Sequence, residues 1–589
     1  MPDDLKLSPN AATVLEERYL LRDGSGRVVE STTGLMERVA AHVAAAEDEF
    51  EPGSSRRWED AFAALLRGLE FLPHSPTLMN AGTRLGLLSA CFVLPVDDSL
   101  DSIFSTLRVA ALVQQAGGGT GFSFSHLRPA GDRVASTGGT AGGPLAFLRV
   151  YDAATEVVRQ GGRRRGANMA VLDVGHPDVR EFLAAKAQPG TLANFNLSVG
   201  VSDAFMYAVE RDGMHALVNP RTGAEAGRVR AAELFDEIAA SAWSSGEPGL
   251  LFLDRINRDN PLPGLGRIEA TNPCGEVPLL PHESCNLGSL NLARFVSGGR
   301  VDWEGLGGAA RAAVRFLDDV IEVARYPTPE LERGARATRK IGLGIMGLAE
   351  LLARARVPYD SEEGMRLTAR IMRHVRTEAR WASMELAAER GAFPLFPVSV
   401  FGRRGEPARR NAQLLSIAPT GTISVIAGTT SGIEPMFAIA YARNVLDTRP
   451  IEVNPLFEHV ARARGFHSDE LMAELVRTGG VRGLAAVPED VRAVFPSAHE
   501  IDPAWHLKMQ ATVQRYVDAG VSKTVNLPSD AGVDEVRRLC HEAWRAGVKG
   551  ITVYRYGSRS GEVLSFLGDG PIGIQPARAG GCAGRACDS

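Results

Sequence analysis

Apolar side chains recur at helical spacing through residues 8–75. Leu35, Val39 and Val43 share one such stripe, and Trp58, Phe62, Leu65, Leu66 and Leu69 form another. From about residue 86 to 557 the pattern changes. Short β-rich runs (SACFVLPV, ANMAVLDV, NFNLSVGVS, LLSIAP, KGITVYRY) alternate with amphipathic stretches such as 101–116. Strands alternating with helices over this length predict an α/β fold with a mainly parallel sheet or barrel. No solenoid-like repeat is present. The glycine-rich segment 131–143 and the stretch 402–411 read as surface loops. From about residue 568 the chain turns to Gly, Pro, Ala and Arg without large apolar periodicity, as a flexible tail would. The reading divides the chain into a helical region at 1–85, an α/β domain at 86–565 and a tail at 566–589.

Composition narrows the class. The chain has 589 residues, 44% hydrophobic and 23% charged, as expected of a large soluble enzyme. A formal net charge of −5 offers no global attraction to nucleic acid or an anionic membrane, so a phosphate-bearing ligand needs a local site. Six cysteines do not make a disulfide scaffold, and a reducing, cytoplasmic setting is expected. Neither a signal peptide nor a membrane span is read.

The run ATNPCGEVPLL carries Asn272, Cys274 and Glu276 at every second position, and Cys285 follows in HESCNLG. If the run is extended, all three side chains share one face. A thiol between an amide and a carboxyl is a reactive-cysteine arrangement. Zinc would ask for paired CxxC or His ligands, which the chain lacks. Cys540, in RRLCHEAWRAG, reads as a small buried hydrophobe. Cys91, in LSACFVLP, reads by itself as a core strand residue. The tail pair Cys582 and Cys587 is either a half-site zinc knuckle or a redox shuttle. As a flexible coil from residue 568, Cys582 would have an r.m.s. reach of roughly 20 Å, enough to enter a cleft and exchange with a disulfide.

Two segments are candidates for phosphate. SIAPTGTISVIAG (416–428) passes from an apolar run through Pro419, Thr420, Gly421 and Thr422 into a helix start, with Ser424 following. Backbone N–H groups and hydroxyls there suit a diphosphate, and they suit an ordinary helix cap equally. QQAGGGTGF (114–122) is no Walker loop and says only that backbone passes close to something. RQGGRRRGAN (159–168) concentrates positive charge. In DDSLDSI, Ser99 is placed to cap a helix whose positive end Asp101 favours.

Together these residues resemble the catalytic chain of ribonucleotide reductases, most closely the adenosylcobalamin-dependent class II enzymes. The resemblance runs from LSPNAATVLEERYLL to GITVYRYGSR. HSPTLMNAG, LSACFVLP, DSLDSI, GGGTGFSFSHLRPAGDRV, STGGTAGGP, NPCGE, ESCNLGSLNL, TRKIGLGIMGLAELL and APTGTIS appear between them in the family's order. It implies a ten-stranded α/β barrel with NPCGE on a central finger loop, where a radical is shielded from water. It implies Cys274 as the thiyl radical that takes the 3′ hydrogen, Glu276 as base on the 3′ hydroxyl, and Asn272 as a substrate-orienting amide. Cys91 and Cys285 become the dithiol that ends as a disulfide. Cys582 and Cys587 would then regenerate it, reduced in turn by thioredoxin or a similar donor.

The resemblance further places the substrate diphosphate on Pro419–Ser424, helped by Ser75, Ala90, Gly118 and Gly119. Asp98, Ser99 and Arg128 match a deoxynucleotide effector site at a homodimer interface. Effector elements at 97–143 and 186–194, with loops 136–143 and 186–194, would carry the signal. Class I chains carry two adjacent tyrosines near the end of the barrel, but here Tyr554 and Tyr556 are separated by Arg555. RYGSRSGE does not match the class III glycyl motif. No DxHxxG run is present, so cobalamin is expected to keep its own base on cobalt, with no protein metal ligand. The chain opens without an ATP-cone segment, so specificity control without an overall on/off site is expected. The rival readings are a class I catalytic subunit needing a second protein, a non-catalytic nucleotide sensor, and a zinc-binding interaction protein.

Overall fold

The computed structural model describes residues 5, 7–158, 167–442 and 451–558. The basic run at 159–166 and the tail pair Cys582 and Cys587 lie outside the described residues.

The amino-terminal region is helical, as its periodicity predicts. Pro9–Arg18 and Thr32–Ala44 start at serine caps, with Ser8 and Ser31 accepting from the N–H groups of Ala11 and Gly34. Thr32–Ala44 buries Leu35, Met36, Val39, Ala40 and Val43, while Ser55–Arg67 buries Phe62, Ala63, Leu65 and Leu66. Phe62 meets Phe316 edge-on with ring centroids 5.1 Å apart, and Phe316 meets Phe71 at 5.4 Å. Phe316 belongs to the long helix Trp303–Val323, so these helices share one core with the elements that follow. The helical stretch ends earlier than its apolar spacing suggests. Phe71–Pro73 is a buried strand antiparallel to Leu290–Gly288, because tertiary pairing overrides local spacing there.

The sheet has ten strands, nine of them in a ring that one bridging segment completes, with Phe71–Pro73 paired on its flank. Cys91–Leu94, Gly119–Ser123, Asn168–Asp173, Phe195–Val201 and Gly249–Phe252 run parallel to one another in that order. Ser284–Asn291, Ile341–Met346, the extended segment 415–417, Thr524–Leu527 and Gly550–Arg555 form a second parallel set, the third member joining through bridges Leu343↔Leu415 and Ile417↔Val521. The two sets meet antiparallel at Cys91–Phe92 with Cys285–Ser284 and at Gly550–Ile551 with Leu251–Leu250. The ring of pairings therefore closes, and each strand has a neighbour on both sides. LLSIAP thus contributes only bridges, short of a full strand. Helices cover the outside, which is why the strand sequences are apolar runs without polar alternation.

A hairpin threads the ring. Ala270–Thr271 pairs antiparallel with Pro278–Leu279, and its tip 272–277 touches both half-barrels. Asn196 Nδ2 donates to the Pro273 carbonyl at 2.7 Å, and Ser416 Oγ donates to the Glu276 carbonyl at 3.0 Å. The glycines of GGGTGF and GVSK make the room. A methyl built on Gly121 would stand 1.6 Å from the Thr271 carbonyl oxygen, and one on Gly520 would stand 2.8 Å from that of Gly275. Gly121→Ala is accordingly expected to lower stability by about 3 kcal/mol through overpacking. Gly227→Ala, with nothing within 4 Å of the added methyl, should stay within about 0.5 kcal/mol. Urea midpoints at constant slope compare the two.

Candidate active site

Cys91 opens its strand directly opposite Cys285 in the antiparallel register. Residues so opposed have Cα atoms about 4.5–5.5 Å apart, within the roughly 4.4–6.8 Å that a disulfide spans. Both side chains are buried thiols, and neither is in a disulfide. Asn272 Nδ2 donates to Cys91 Sγ at 3.2 Å, and Gln413 Nε2 approaches Cys285 Sγ at 3.9 Å.

The finger tip is not extended. The Gly275 N–H donates to the Asn272 carbonyl at 3.1 Å, and Gly275 has φ +82°. Proline at 273 and a left-handed glycine at 275 close a turn where strict alternation would need a strand. Period 2 therefore does not govern 272–276. Instead the turn folds Asn272 and Glu276 inward, both fully buried, and leaves Cys274 half-buried between them. Asn272 Oδ1 also accepts from the Val277 N–H at 2.9 Å, which fixes the amide so that its nitrogen faces Cys91.

Electrostatics follow from this sealing. Burial pushes the Glu276 carboxyl up to about 7, with the Asn272 amide pulling the other way. Neither carboxyl oxygen completes a hydrogen bond of good geometry, so desolvation dominates. Burial also pushes the Cys91 thiol well up, with Glu276, Cys285 and Cys274 adding to it and Asn272 opposing. Cys285 is raised by burial too, against the pull of Lys340, whose ammonium is buried in a pair with Glu283 at 2.5 Å. Thiols held as S–H are hydrogen-atom and proton donors. Nucleophiles and zinc ligands would need the thiolate.

Among the described residues, no group of three His, Cys, Asp or Glu side chains is placed to hold a metal ion. Cys540 is a buried core residue of Val533–Ala546, its thiol pushed up to about 12 by burial, as its apolar setting predicts.

The turn after 415–417 lies at the barrel end where the first half-barrel begins. There the Gly119 N–H donates to the Ala90 carbonyl at 2.7 Å, and Gly118 packs against Val113 and Phe92. Thr420 takes φ +57°, an outlier for a β-branched residue, and leads into the helix Gly421–Ala427. Its Oγ1 accepts from the Gly432 N–H at 2.7 Å, so it ties two loops together where sequence predicts a cap. Ser424 Oγ bonds the Gly421 carbonyl and Ser431, and Thr422 is buried on the same helix. Helix Pro9–Arg18 packs on this helix, and Tyr19, just past its end, meets Ser75 Oγ at 2.7 Å. No motif singles out Asn196, Gln413 or Gly520, and Tyr19 and Ser416, which lie inside LSPNAATVLEERYLL and SIAPTGTISVIAG, have contacts that only folding reveals.

Asp98 and Arg128 form an ion pair at 2.8 Å, and Ser99 Oγ caps Leu100–Gln115 by accepting from the Ser102 N–H at 3.1 Å. Beside them a cleft of about 540 Å³ runs between Gly143–Val157 and Val179–Ala184, bordered by Gly142 and Gln188. It therefore joins the loops 136–143 and 186–194. Tyr554 lies on the last strand. Tyr556 falls beyond it, with its ring centroid 5.6 Å from that of His499.

A closed barrel with a threaded finger brings two facing buried thiols, a third half-buried thiol and a desolvated carboxyl into one candidate site. The ribonucleotide reductase barrel-domain model matches residues 89–405 and 403–554, and the family's all-alpha domain model matches 5–86. A vitamin B12-dependent ribonucleoside-diphosphate reductase of Mycobacterium tuberculosis is 65% identical over all of this chain and 83% of its own length. One from Thermoplasma acidophilum is 44% identical over 96% of this chain and 81% of its own. A class Id ribonucleotide reductase alpha subunit of Actinobacillus ureae shares the fold, with TM-score 0.78 at 24% identity, covering 95% of this chain and 98% of that one. The chain belongs to the ribonucleotide reductase family, as a class II member.

Proposed function

We propose that the chain reduces ribonucleoside diphosphates to 2′-deoxyribonucleotides by a thiyl-radical mechanism that depends on adenosylcobalamin. The observation that carries the reading is the opposition of Cys91 and Cys285 across the strand pair, with Asn272 of the finger bonded to Cys91.

Cys274 takes the 3′ hydrogen atom of the ribose and returns it at the end. Glu276 accepts the 3′-hydroxyl proton. Cys91 and Cys285 protonate the departing 2′ oxygen, which leaves as water, and supply the two electrons, ending as a disulfide. Asn272 orients the substrate hydroxyls. The diphosphate lies on Pro419–Ser424, with Ser75, Ala90, Gly118 and Gly119 at the same barrel end.

Cys274 keeps partial exposure while Cys91, Cys285, Asn272 and Glu276 are sealed. That fits a large cofactor reaching this thiol from outside. Adenosylcobalamin, when bound, supplies the oxidant that makes Cys274 a radical. No residue of this chain is proposed as a ligand to cobalt. Tyr554 and Tyr556, separated in sequence by Arg555, depart from the adjacent tyrosine pair that a relay from a second subunit would use.

The deoxynucleotide effector binds at Asp98, Ser99 and Arg128, between two copies of the chain. Two packed helices present apolar residues beside that site: Leu100 and Phe104 on one, exposed at 65% and 49%, and Val150 and Val157 on the other, at 38% and 81%. A second copy would cover them. No helix among the described residues is long and apolar enough to cross a membrane.

The experiment is CDP reduction by the purified chain alone with dithiothreitol, with and without adenosylcobalamin. Cofactor-dependent dCDP supports the reading. Folded, nucleotide-binding protein without turnover returns weight to a class I subunit or a sensor. The tail is testable in the same assay. Cys582→Ser should keep activity with dithiothreitol within about twofold and lose more than about tenfold with thioredoxin, since exchange needs the attacking thiol. Equal losses with both reductants would remove the shuttle.

A further inference from the structure

We propose that Asn196 is a positioning residue for the finger tip, holding the peptide that carries Cys274. Its catalytic consequence rests on the radical reading above; its geometry does not. Asn196 lies on Phe195–Val201, opposite Met169 in the parallel register, and is only partly buried. Its Nδ2 donates to the Pro273 carbonyl at 2.7 Å. A carbonyl oxygen only accepts, so the side-chain amide must present its nitrogen, and its orientation follows from the chemistry. That carbonyl belongs to the peptide plane whose nitrogen is that of Cys274, so the bond acts one rigid plane from the thiol-bearing Cα.

The opposite flank of the tip is held at the Glu276 carbonyl, which accepts from Ser416 Oγ at 3.0 Å and from the Gly520 N–H at 2.7 Å. Two clamped carbonyls, one against each half-barrel, thus bracket Cys274 and Gly275. Between them Gly275 has φ +82° and open space around its missing side chain, so the tip can swivel unless both flanks are held. On the Cys274 flank the hold is a side chain that substitution removes.

Asn196→Ala is expected to lower kcat by about 10–100-fold with the nucleotide KM unchanged, since misplacement by about 1 Å costs on that scale. Asn196→Asp keeps the shape and reverses the chemistry. An ionised carboxylate repels the Pro273 carbonyl, whereas the protonated acid donates to it. Activity of this variant relative to wild type should rise as pH falls, a change that mere loss of packing would not produce. The ionisable groups flanking the position are Cys274 and Glu276 of the finger, and Glu247, which accepts from the Leu197 N–H and pairs with Lys186.

An independent readout needs no turnover: the rate of Cys274 alkylation by iodoacetamide in cofactor-free protein, followed by peptide mass spectrometry. Asn196→Ala should change that rate severalfold while nucleotide binding by calorimetry stays at the wild-type value. Unchanged kcat with unchanged alkylation overturns the proposal. So does a raised KM with normal kcat, which would make Asn196 a substrate contact. A changed alkylation rate in a chain that never reduces CDP would sink the reductase reading and leave the positioning role standing. If Asn196→Ala fails to fold, Asn196→Ser and the isosteric Asp variant carry the same measurements.

Discussion

Replacing Cys274 by serine should drop CDP reduction by at least about 10⁴-fold, equivalent to more than about 5 kcal/mol of transition-state stabilisation. Nucleotide affinity and thermal midpoint should stay at wild-type values. The hydroxyl fits the half-buried position at the turn, and Asn272, Gly275 and the Pro273 and Glu276 carbonyls keep their partners. What is lost is a hydrogen that another radical can remove and a sulfur radical able to take one back. Single-turnover product formation with pre-reduced protein, beside calorimetric nucleotide binding, checks it. A variant retaining even a hundredth of wild-type turnover would show that Cys274 is not the radical carrier and would send the search to Cys91 or Cys285.

The second large effect concerns Glu276 and has two parts of opposite sign. As a base it works ionised, and burial pushes it up to about 7, so turnover should fall as pH drops below neutrality. Glu276→Gln should remove that limb and lose about 10²–10⁴-fold, the usual worth of a positioned base. For stability, the folded value lies above the ordinary carboxyl value of 4.5. The favourable term is therefore fully present below pH about 4.5 and is lost as pH rises through about 7. The full loss is on the order of 3 kcal/mol, at about 1.4 kcal/mol for each unit of difference. Glu276→Gln carries no such charge. It should melt higher than wild type at pH 8 and lose this advantage near pH 5, as measured by midpoints across pH. An inactive variant without the stability gain would mean that Glu276 is better solvated than its burial implies.

These expectations show how function and stability conflict at one side chain. The lumen that would keep the proposed radical from water is dry, and the same dryness penalises the carboxylate. Thr420 in a left-handed conformation is a further local cost.

Local chemistry was enough to single out Asn272, Cys274 and Glu276, to dismiss Cys540, and to place Ser99 at a helix start. Each depends on neighbours within a few residues, through caps, turns and apolar periodicity. The helical region and the alternation of strands and helices were legible for the same reason. The geometry inside NPCGE was not. Alternation predicts three side chains on one face, whereas Pro273 and Gly275 turn the chain and bury Asn272 and Glu276 around a half-exposed thiol. The opposition of Cys91 to Cys285 depends on an antiparallel register between segments 194 residues apart (285 − 91). Nothing in either segment encodes that register locally. Asn196, Ser416 and Gly520 reach the finger from separate strands and loops, and Tyr19 reaches Ser75 from the first helix. Short-range patterning therefore determined which residues can react and which elements form. Closure of the barrel decided which of them meet, because distance through space is set by strand register and packing across the whole chain.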